Sequence, residues 1–212
     1  PSYVVSCAGV APAGSLLTSP VKMFTRAFDI NAAANVVLAQ AFLPAMISNN
    51  HGHFMTVASS ASYFSLPNLC AYSMSKTAAL AFLESLRAEL RAVYKACRVR
   101  TSVVTPTKVR TVLAEGLNEG DDDFLMPVLE PIQVARAMAD TLNGGLSRNI
   151  SLPLGSALLP YLRALPEWYR GALRAMGNTD ALVTPDSISR GQQALRGHQS
   201  NLDHMKKLGV HS

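Results

Sequence analysis

Residues 56–76, TVASSASYFSLPNLCAYSMSK, decide how this chain folds and what chemistry it can carry. The stretch begins as an apolar strand, passes through paired serines and a polar loop, and ends as a helix rich in small residues. Tyr72 and Lys76 stand four residues apart, so a helix places both side chains on one face. An ammonium beside a phenol favours the phenolate and lowers a tyrosine pKa that is ordinarily about 10. We therefore predict a tyrosine that exchanges protons near neutral pH, with Ser59 at the strand end facing the same crevice.

The composition describes one globular domain with a sizeable core. The chain has 212 residues, of which 49% are hydrophobic and 16% are charged. Its net charge of +5 is not clustered as in nucleic-acid readers, so we predict no nucleic-acid partner. The three cysteines (Cys7, Cys70 and Cys97) are an odd number without metal-type spacing. They predict neither a disulfide framework nor a metal site, and they fit a reducing, cytoplasmic compartment.

Apolar runs and helix signals alternate along the chain. Strands are predicted near 3–6, 53–58, 99–105 and 149–152, and helices over 20–48, 69–96 and from 130 to about 143. Ser19 is the expected N-cap of the first helix, with Pro20 as its first helical residue. The inward positions predicted on the two long helices include Val36, Val37 and Ala81. His51 and His53 flank a turn before a strand and are predicted to be surface residues rather than a catalytic base.

The order of strand, serine, a step of thirteen residues, tyrosine and lysine resembles the short-chain dehydrogenase/reductase family. Within that family it is most similar to the retinol and 17β-hydroxysteroid dehydrogenase-like branch, and the resemblance covers residues 3–155. It implies an α/β fold with a doubly wound, Rossmann-type parallel sheet of order 3-2-1-4-5-6-7, of which strands 4 to 7 are present here. Residues 1–155 would form this partial domain and carry the catalytic groups, and residues 156–212 would be a helical extension of the same domain.

The resemblance also implies the roles of individual side chains. Tyr72 would be the general acid/base, and Lys76 would lower its pKa and hold the nicotinamide ribose. Ser59 would hydrogen-bond the substrate oxygen, with Ser60 as the alternative if the strand end is shifted by one residue. Asn31 would position a water that relays protons to the lysine. The alternative for Asn31 is a buried amide satisfied by neighbouring backbone.

The implied cofactor is NAD or NADP. Besides Tyr72 and Lys76, the positions matching the family's cofactor contacts are Ala8, Gly9, Pro106, Val109 and Thr111. No metal is implied.

The chain departs from the family's pattern at three places. Ser6 and Cys7 replace two asparagines after the first strand, and Thr107 replaces a glycine, where a positive φ would strain it. A glycine-rich turn that would cradle a pyrophosphate is also missing from the sequence. Because the match begins at what would be the fourth strand, we expect three further βα units, on the order of 90 residues, upstream of Pro1.

The function implied is interconversion of an alcohol and a carbonyl on a small lipophilic substrate such as a retinoid, steroid or fatty alcohol. The resemblance also implies a mobile apolar lid that includes Leu113, Leu117 and Phe124, although an acidic run at 121–123 is by itself typical of a solvated loop. The alternative is a non-catalytic truncated relative that acts as an interaction subunit, or a fragment without activity.

The segment 152–176 is apolar, with aromatic residues and arginines between its prolines. Such a pattern is typical of an interfacial membrane helix, of a helix that closes a substrate pocket, or of a dimer contact. The family also predicts a homodimer through the helices at 20–48 and 69–96. Membrane association at the endoplasmic reticulum or at lipid droplets is therefore an alternative to a purely cytoplasmic location, although the most apolar segment, 32–47, is too short to span a bilayer.

Overall fold

A parallel sheet forms the centre of the fold. The computed structural model describes residues 1–114 and 127–176, together with positions 183, 184, 186, 188 and 189. Within this part of the chain, four strands lie in the order β1-β2-β3-β4, and all three pairings are parallel. They are β1 (Tyr3–Ser6), β2 (Gly52–Val57), β3 (Val99–Pro106) and β4 (Asn149–Leu152). The predicted α/β fold with a parallel sheet is confirmed, and each strand lies within a residue or so of its predicted position.

Helices connect successive strands, as parallel pairing requires. The first connection is a single helical run made of α1 (Val21–Phe28), a π-helical turn (Asp29–Ala33) and α2 (Ala34–Ser48). The others are α3 (Cys70–Ala92) and α4 (Pro131–Asn143), and the two short helices α5 (Leu159–Leu162) and α6 (Glu167–Met176) follow β4. Short 3₁₀ turns occupy Ser60–Ser62, Val112–Ala114 and Leu154–Leu158.

The start of α1 differs from the prediction. Pro20 is the N-cap residue, with extended backbone, and the helix begins at Val21. No side chain caps this end, so the prediction that Ser19 is the N-cap was wrong. The fixed φ of proline suits this entry position even without a capping hydroxyl.

The first helical run buries one stripe of residues against the sheet and α3. The stripe recurs about every fourth position and consists of Ala27, Asn31, Asn35, Ala39, Leu43 and Met46. Val36 and Val37 lie on the opposite side, where Val37 is 65% exposed, so the prediction that they face inward was wrong. The prediction assumed that the most hydrophobic residues face inward, but two of the buried positions in this stripe are asparagines.

The run from Val21 to Ser48 is 28 residues long and, by length and composition, could cross a membrane. The prediction considered only residues 32–47, which are too short to span a bilayer, and so missed the full length of this apolar run. Its two buried asparagines are hydrogen-bonded inside the protein, and the run packs on α3, β1 and β2. Those contacts place one face of the run in the core of this fold.

The helix α3 provides most of the core on the other side of that run. Leu80, Leu83, Leu86 and Leu90 are buried along one face, against Phe54 of β2 and Val103 of β3. Ala81 is exposed rather than inward, because it lies next to this leucine stripe and not within it. The same helix carries Tyr72 and Lys76 in its first turns, so its packing also fixes the candidate site.

The surface position predicted for His53 was wrong, whereas His51 is exposed as predicted. His53 is buried on β2, and its Nε2 lies 2.9 Å from Ser102 Oγ on β3. Burial, reinforced by the charge of Arg100, holds the His53 pKa below its ordinary value. His53 is therefore a neutral core residue at the amino edge of the sheet.

Candidate active site

The candidate site lies at the carboxyl edge of the sheet, where the connections after three parallel strands begin. β1, β2 and β3 end at Ser6, Val57 and Pro106, and their pairing places those ends side by side. Open α/β sheets bind their ligands outside this edge. The residues that follow these strands therefore face one region of the protein.

Ser59 lies close enough to Tyr72 for its side chain to lower the pKa of the phenol. Ser59 is buried in extended backbone with φ −164° and ψ 158°, and its hydroxyl accepts a hydrogen bond from the Ala61 backbone N–H at 3.2 Å. Ser60 instead begins the following 3₁₀ turn. The strand end therefore brings Ser59 to the tyrosine, as the spacing predicts.

Burial raises the pKa of Tyr72 above its ordinary value, and the side chain of Ser59 offsets part of that rise. The prediction of a pKa lowered by Lys76 was wrong for this structure. The sequence places the lysine on the right helix face, but burial of the phenol is the larger effect. Tyr72 therefore holds its proton at neutral pH.

Lys76 is buried beside the tyrosine's helical turn, with only 3% of the residue exposed. Its ammonium donates a hydrogen bond to the Val57 backbone carbonyl at 2.8 Å. Burial lowers the pKa of Lys76 to about 8, and the electrostatic interaction with Cys7 acts in the opposite direction. The side chain is therefore charged at neutral pH yet close to its titration range.

Gly9 lies between Lys76 and Asn31. A Cβ placed on Gly9 would lie 3.2 Å from Lys76 Nζ and 3.2 Å from Asn31 Oδ1. These distances are shorter than ordinary van der Waals contact, so only glycine fits without displacing a neighbour. The turn after β1 thus depends on the absence of a side chain at this point.

The Asn31 amide connects this turn to both long helices. Its Oδ1 accepts from the Val10 N–H at 2.8 Å, and its Nδ2 donates to the Val10 carbonyl at 2.8 Å and to Ser75 Oγ at 2.8 Å. The Asn31 carbonyl accepts from Asn35 Nδ2 at 2.9 Å. The side chain is therefore satisfied by neighbouring groups, and it sits in a π-helical turn, a feature often found at functional sites.

The remaining candidate cofactor residues lie along the same edge. Ala8 is exposed directly after β1, and Pro106 is buried at the end of β3. Val109 forms an isolated bridge to Leu129, and exposed Thr111 donates a hydrogen bond to the Val109 carbonyl at 3.3 Å. The structure thus gathers the predicted positions at one edge, with Ala8 and Thr111 exposed to solvent.

Thr107 does not carry the strain predicted for it. The non-glycine residues with positive φ in the described ranges are Asn50, Asn68 and Lys95, so Thr107 has ordinary backbone geometry. Its backbone N–H donates to the Leu152 carbonyl at 2.8 Å, whereas its hydroxyl is buried without a hydrogen-bond partner among the described residues. An orphaned hydroxyl beside Pro106 fits a site that takes a polar ligand group there.

Sequence reasoning missed two partners of the site. Val10 contributes only its backbone, which no side-chain motif can reveal. Ser75 was predicted merely to face inward, but its hydroxyl accepts from Asn31 and donates to the Tyr72 carbonyl at 2.8 Å. Its position directly before Lys76, in a run of small residues, was the available signal.

The part of the chain after β4 returns to the loop that carries the serines. Asn68 Nδ2 donates to the Val183 carbonyl at 2.9 Å, and the Arg174 guanidinium lies 4.9 Å from the centre of the Phe64 ring. Exposed apolar side chains follow β4, including Leu158, Tyr161 and Trp168. Of the predicted lid residues, Leu113 is exposed in a 3₁₀ turn, whereas Leu117 and Phe124 lie outside the described residues.

Comparison with known proteins identifies the family of this chain. The family model described as short chain dehydrogenase matches residues 2–122. Estradiol 17-beta-dehydrogenase 11 of Homo sapiens is 36% identical over 176 residues, which are 82% of this chain and 56% of that protein. Epidermal retinol dehydrogenase 2 of Mus musculus is 35% identical over 141 residues, 66% of this chain and 45% of that protein.

The fold is also found among solved structures. A short chain dehydrogenase from Burkholderia cenocepacia, solved in complex with NADP, superposes with a TM-score of 0.67 at 23% identity, covering 82% of this chain and 70% of that one. The chain spans about half the length of the two curated relatives above.

Proposed function

Because this chain belongs to the short chain dehydrogenase family, we propose that it acts in an NAD- or NADP-dependent oxidoreductase that interconverts an alcohol and a carbonyl. The observation that carries the proposal is the position of Ser59 beside Tyr72, one helical turn from the buried Lys76 ammonium. The bound nicotinamide supplies or accepts the hydride. The residues of this chain orient the reacting oxygen and move its proton.

Tyr72 is the general acid/base in this proposal. Its raised pKa leaves the phenol protonated at neutral pH, so it is ready to donate to the oxygen of a carbonyl substrate. In the reverse direction the phenolate accepts the alcohol proton. Ser59 holds the same substrate oxygen, and its side chain beside Tyr72 stabilises the phenolate.

Lys76 holds the nicotinamide ribose in this proposal. Its ammonium has three donors and gives one to the Val57 carbonyl, which leaves donors for ribose hydroxyls. Asn31 Oδ1 and Lys76 Nζ lie on either side of Gly9, which supports a role for Asn31 in positioning the relay water as well as bracing the loop. Ala8, Gly9, Pro106, Val109 and Thr111 are the proposed contacts to the rest of the nicotinamide half.

The substrate is a small lipophilic alcohol or carbonyl compound, such as a retinoid, steroid or fatty alcohol. Two observations support this class. The relatives that cover most of this chain are named for estradiol and retinol. Apolar side chains are also exposed beyond the end of β4, in a part of the chain that returns to the loop carrying the serines.

The pyrophosphate of the cofactor needs a cradle that these 212 residues do not supply, because the sequence contains no glycine-rich turn after its first strand. In a sheet of order 3-2-1-4-5-6-7, β1 would be the fourth strand and would lie in the middle of the sheet. Three further βα units, which contain strands 1 to 3, would supply the pyrophosphate cradle. The exposure of Tyr3 and Val5 on β1 supports this arrangement. Residues 1–155 then form part of one Rossmann-type domain, and 156–212 extend it.

Assembly and location form the last part of the proposal. Exposed Val36, Val37 and Met74 on the long helices support a homodimer through 20–48 and 69–96. Segment 152–176 exposes Leu158, Tyr161 and Trp168 and also carries arginines. These features support peripheral contact with a membrane surface, such as the endoplasmic reticulum or lipid droplets, by a cytoplasmic protein.

Cofactor binding and turnover test the function together. The assay would follow the reduction of retinal and estrone and the oxidation of retinol and estradiol, with NAD(H) and with NADP(H). Each reaction would be measured in this chain and in the protein at the length of its curated relatives. We expect turnover in the longer protein, lost in Ser59→Ala, and weak cofactor binding by the 212 residues alone. Tight cofactor binding without turnover on any such substrate would favour the non-catalytic alternative.

A further inference from the structure

The first helical run changes register at the π-helical turn that carries Asn31. The Ala34 N–H bonds to the Asp29 carbonyl, five residues back, where an α-helix would join residues four apart. A side chain that enters the backbone ladder is one cause of such a local change in a helix. Asn35, which is buried four residues after Asn31 on the same face, has a side chain in this position.

The Asn35 amide donates hydrogen bonds to two carbonyls of this turn. Its Nδ2 lies 2.9 Å from the Asn31 carbonyl oxygen and 3.2 Å from that of Ala32. Because a carbonyl can only accept a hydrogen bond, the amide nitrogen must face the turn and the amide oxygen must face away from it. Asn35 therefore holds Asn31 through its backbone and leaves the Asn31 side chain to its own partners.

The other end of the Asn35 amide is fixed by β2. Its Oδ1 accepts a hydrogen bond from Thr56 Oγ1 at 3.1 Å, and both residues are only 1% exposed. The next residue, Val57, has the carbonyl that accepts from the Lys76 ammonium at 2.8 Å. Asn35 and Thr56 thus join the turn that carries Asn31 to the strand end that anchors Lys76.

The polar atoms at the two ends of this link are close to each other. A Cβ on Gly9 would lie 3.2 Å from Asn31 Oδ1 and 3.2 Å from Lys76 Nζ, so one glycine separates them. A displacement of about 1 Å in a catalytic arrangement can lower its rate about 10²-fold. The link between the elements that carry Asn31 and Lys76 is therefore a place where small movements affect the site.

Stability alone does not require an amide at position 35. Apart from the two asparagines, the buried stripe of this helical run is apolar. Replacing both partners of a buried hydrogen bond by apolar groups of the same shape can be nearly neutral for stability. A fully paired polar network instead fixes one arrangement of its members. The pair of Asn35 and Thr56 fits a requirement for position.

We propose that Asn35 is a positioning residue of the oxidoreductase, acting through Asn31. It holds the π-helical turn against β2, so that the Asn31 side chain stays beside Lys76, where it positions the relay water. The role rests on the proposed function, because it serves a proton relay between these two residues. Asn35 itself touches neither the substrate nor the cofactor.

Turnover of Asn35→Leu tests this role in the protein at the length of its curated relatives, on retinol, retinal, estradiol and estrone. Leucine has a similar volume but cannot donate to the turn. We expect kcat to fall about tenfold or more, with cofactor affinity unchanged. The matched control is Asn49→Leu, because exposed Asn49 also donates to a carbonyl four residues back, that of Ala45 at 2.9 Å. Its kcat should stay unchanged.

The Asn31→Ala background separates positioning from a merely structural role. Without the Asn31 side chain there is nothing left to position, so Asn35→Leu should change kcat by less than about twofold in that background. The shifts of the urea midpoint should instead add, because Asn31→Ala leaves in place the carbonyl that Asn35 holds. A structural residue would give additive effects on both quantities.

Thr56 offers a second pair of variants, which decides the matter if Asn35→Leu does not fold. Thr56→Val keeps the shape of the side chain but removes the hydroxyl that orients Asn35, whereas Thr56→Ser keeps the hydroxyl. We expect kcat to fall about threefold or more in Thr56→Val and to recover in Thr56→Ser.

Four results would overturn the positioning role. Full kcat in Asn31→Ala would leave nothing for Asn35 to position. Full kcat in Asn35→Leu would show that Asn31 does not depend on it, and full kcat in Thr56→Val would remove the link through β2. An equal fractional loss from Asn35→Leu with and without the Asn31 side chain would mean that Asn35 acts by another route.

Failure of the proposed function itself would give a different pattern. Full kcat in Tyr72→Phe, or no turnover of the four compounds by the unsubstituted protein, would contradict the oxidoreductase mechanism, and the positioning role would fall with it. Loss of kcat in Tyr72→Phe together with full kcat in Asn35→Leu would overturn the positioning role alone.

Discussion

The replacement Asn31→Ala separates the structural role of this residue from its proposed catalytic one. It removes the hydrogen bonds to the Val10 N–H, to the Val10 carbonyl and to Ser75 Oγ. Ser75 keeps a partner because its hydroxyl donates to the Tyr72 carbonyl. The loss therefore falls on the two backbone groups of Val10, which is only partly buried.

The size of the effect follows from those two groups. A buried polar group left without a partner costs about 1–3 kcal/mol, and water can reach Val10 in part, so we expect the free energy of unfolding to fall by about 2–4 kcal/mol. With a urea m-value of about 1–3 kcal/mol/M, the midpoint should move by roughly 1–2 M. Urea unfolding followed by far-ultraviolet circular dichroism measures this shift.

Asn49→Ala is the matched control. Asn49 also donates its amide to a backbone carbonyl, that of Ala45 at 2.9 Å, but it lies on the surface and should change the free energy of unfolding by less than about 0.5 kcal/mol. If Asn31→Ala were as stable as the wild type, the bracing role derived from its hydrogen bonds would be refuted. A loss of turnover in such a stable variant would then point to catalysis alone.

Three other perturbations should give distinct results. Gly9→Ala should lower Tm by about 2–6 °C, because the added Cβ would crowd Asn31 and Lys76. The control Gly171→Ala, with open space around it, should not lower Tm. Equal Tm values for the two variants would contradict the close approach at Gly9. Because the His53 pKa is lowered in the folded protein, the unfolded chain takes up a proton that the folded chain does not. The free energy of unfolding should therefore fall as the pH drops below 6.5. Urea titrations of His53→Asn should show a smaller fall. For Lys76, with its pKa lowered from 10.5 to about 8, the free energy of unfolding should rise between those values, and Lys76→Met should lack that rise.

The sequence predicted the elements that depend on short-range patterns. Ser59, Tyr72 and Lys76 occupy one strand end and one helix, whose periodicities can be read locally, and the structure brings the serine to the tyrosine as expected. Gly9, which the structure places between Asn31 and Lys76, was also among the predicted cofactor residues. These features depend on residues close together in the chain.

Features set by tertiary packing were not predictable. The partner of Asn31 is the backbone of Val10, 21 positions away, and a sequence pattern does not mark such a contact. His53 was misplaced because its hydrogen-bond partner, Ser102, belongs to the neighbouring strand. The direction of the Tyr72 pKa shift depends on how deeply the folded protein buries the phenol, and this outweighs the charge that the helix spacing predicts.

The most direct test of the central claim is the turnover of Tyr72→Phe compared with Tyr63→Phe, in the protein at the length of its curated relatives. Tyr63 is a half-buried tyrosine on the same serine loop, and nothing in the site requires its hydroxyl. If Tyr72 transfers the proton, Tyr72→Phe should lower kcat by about 10²-fold or more with cofactor affinity unchanged, and Tyr63→Phe should retain activity. Retention of kcat within a few-fold in a folded, cofactor-binding Tyr72→Phe protein would contradict the account.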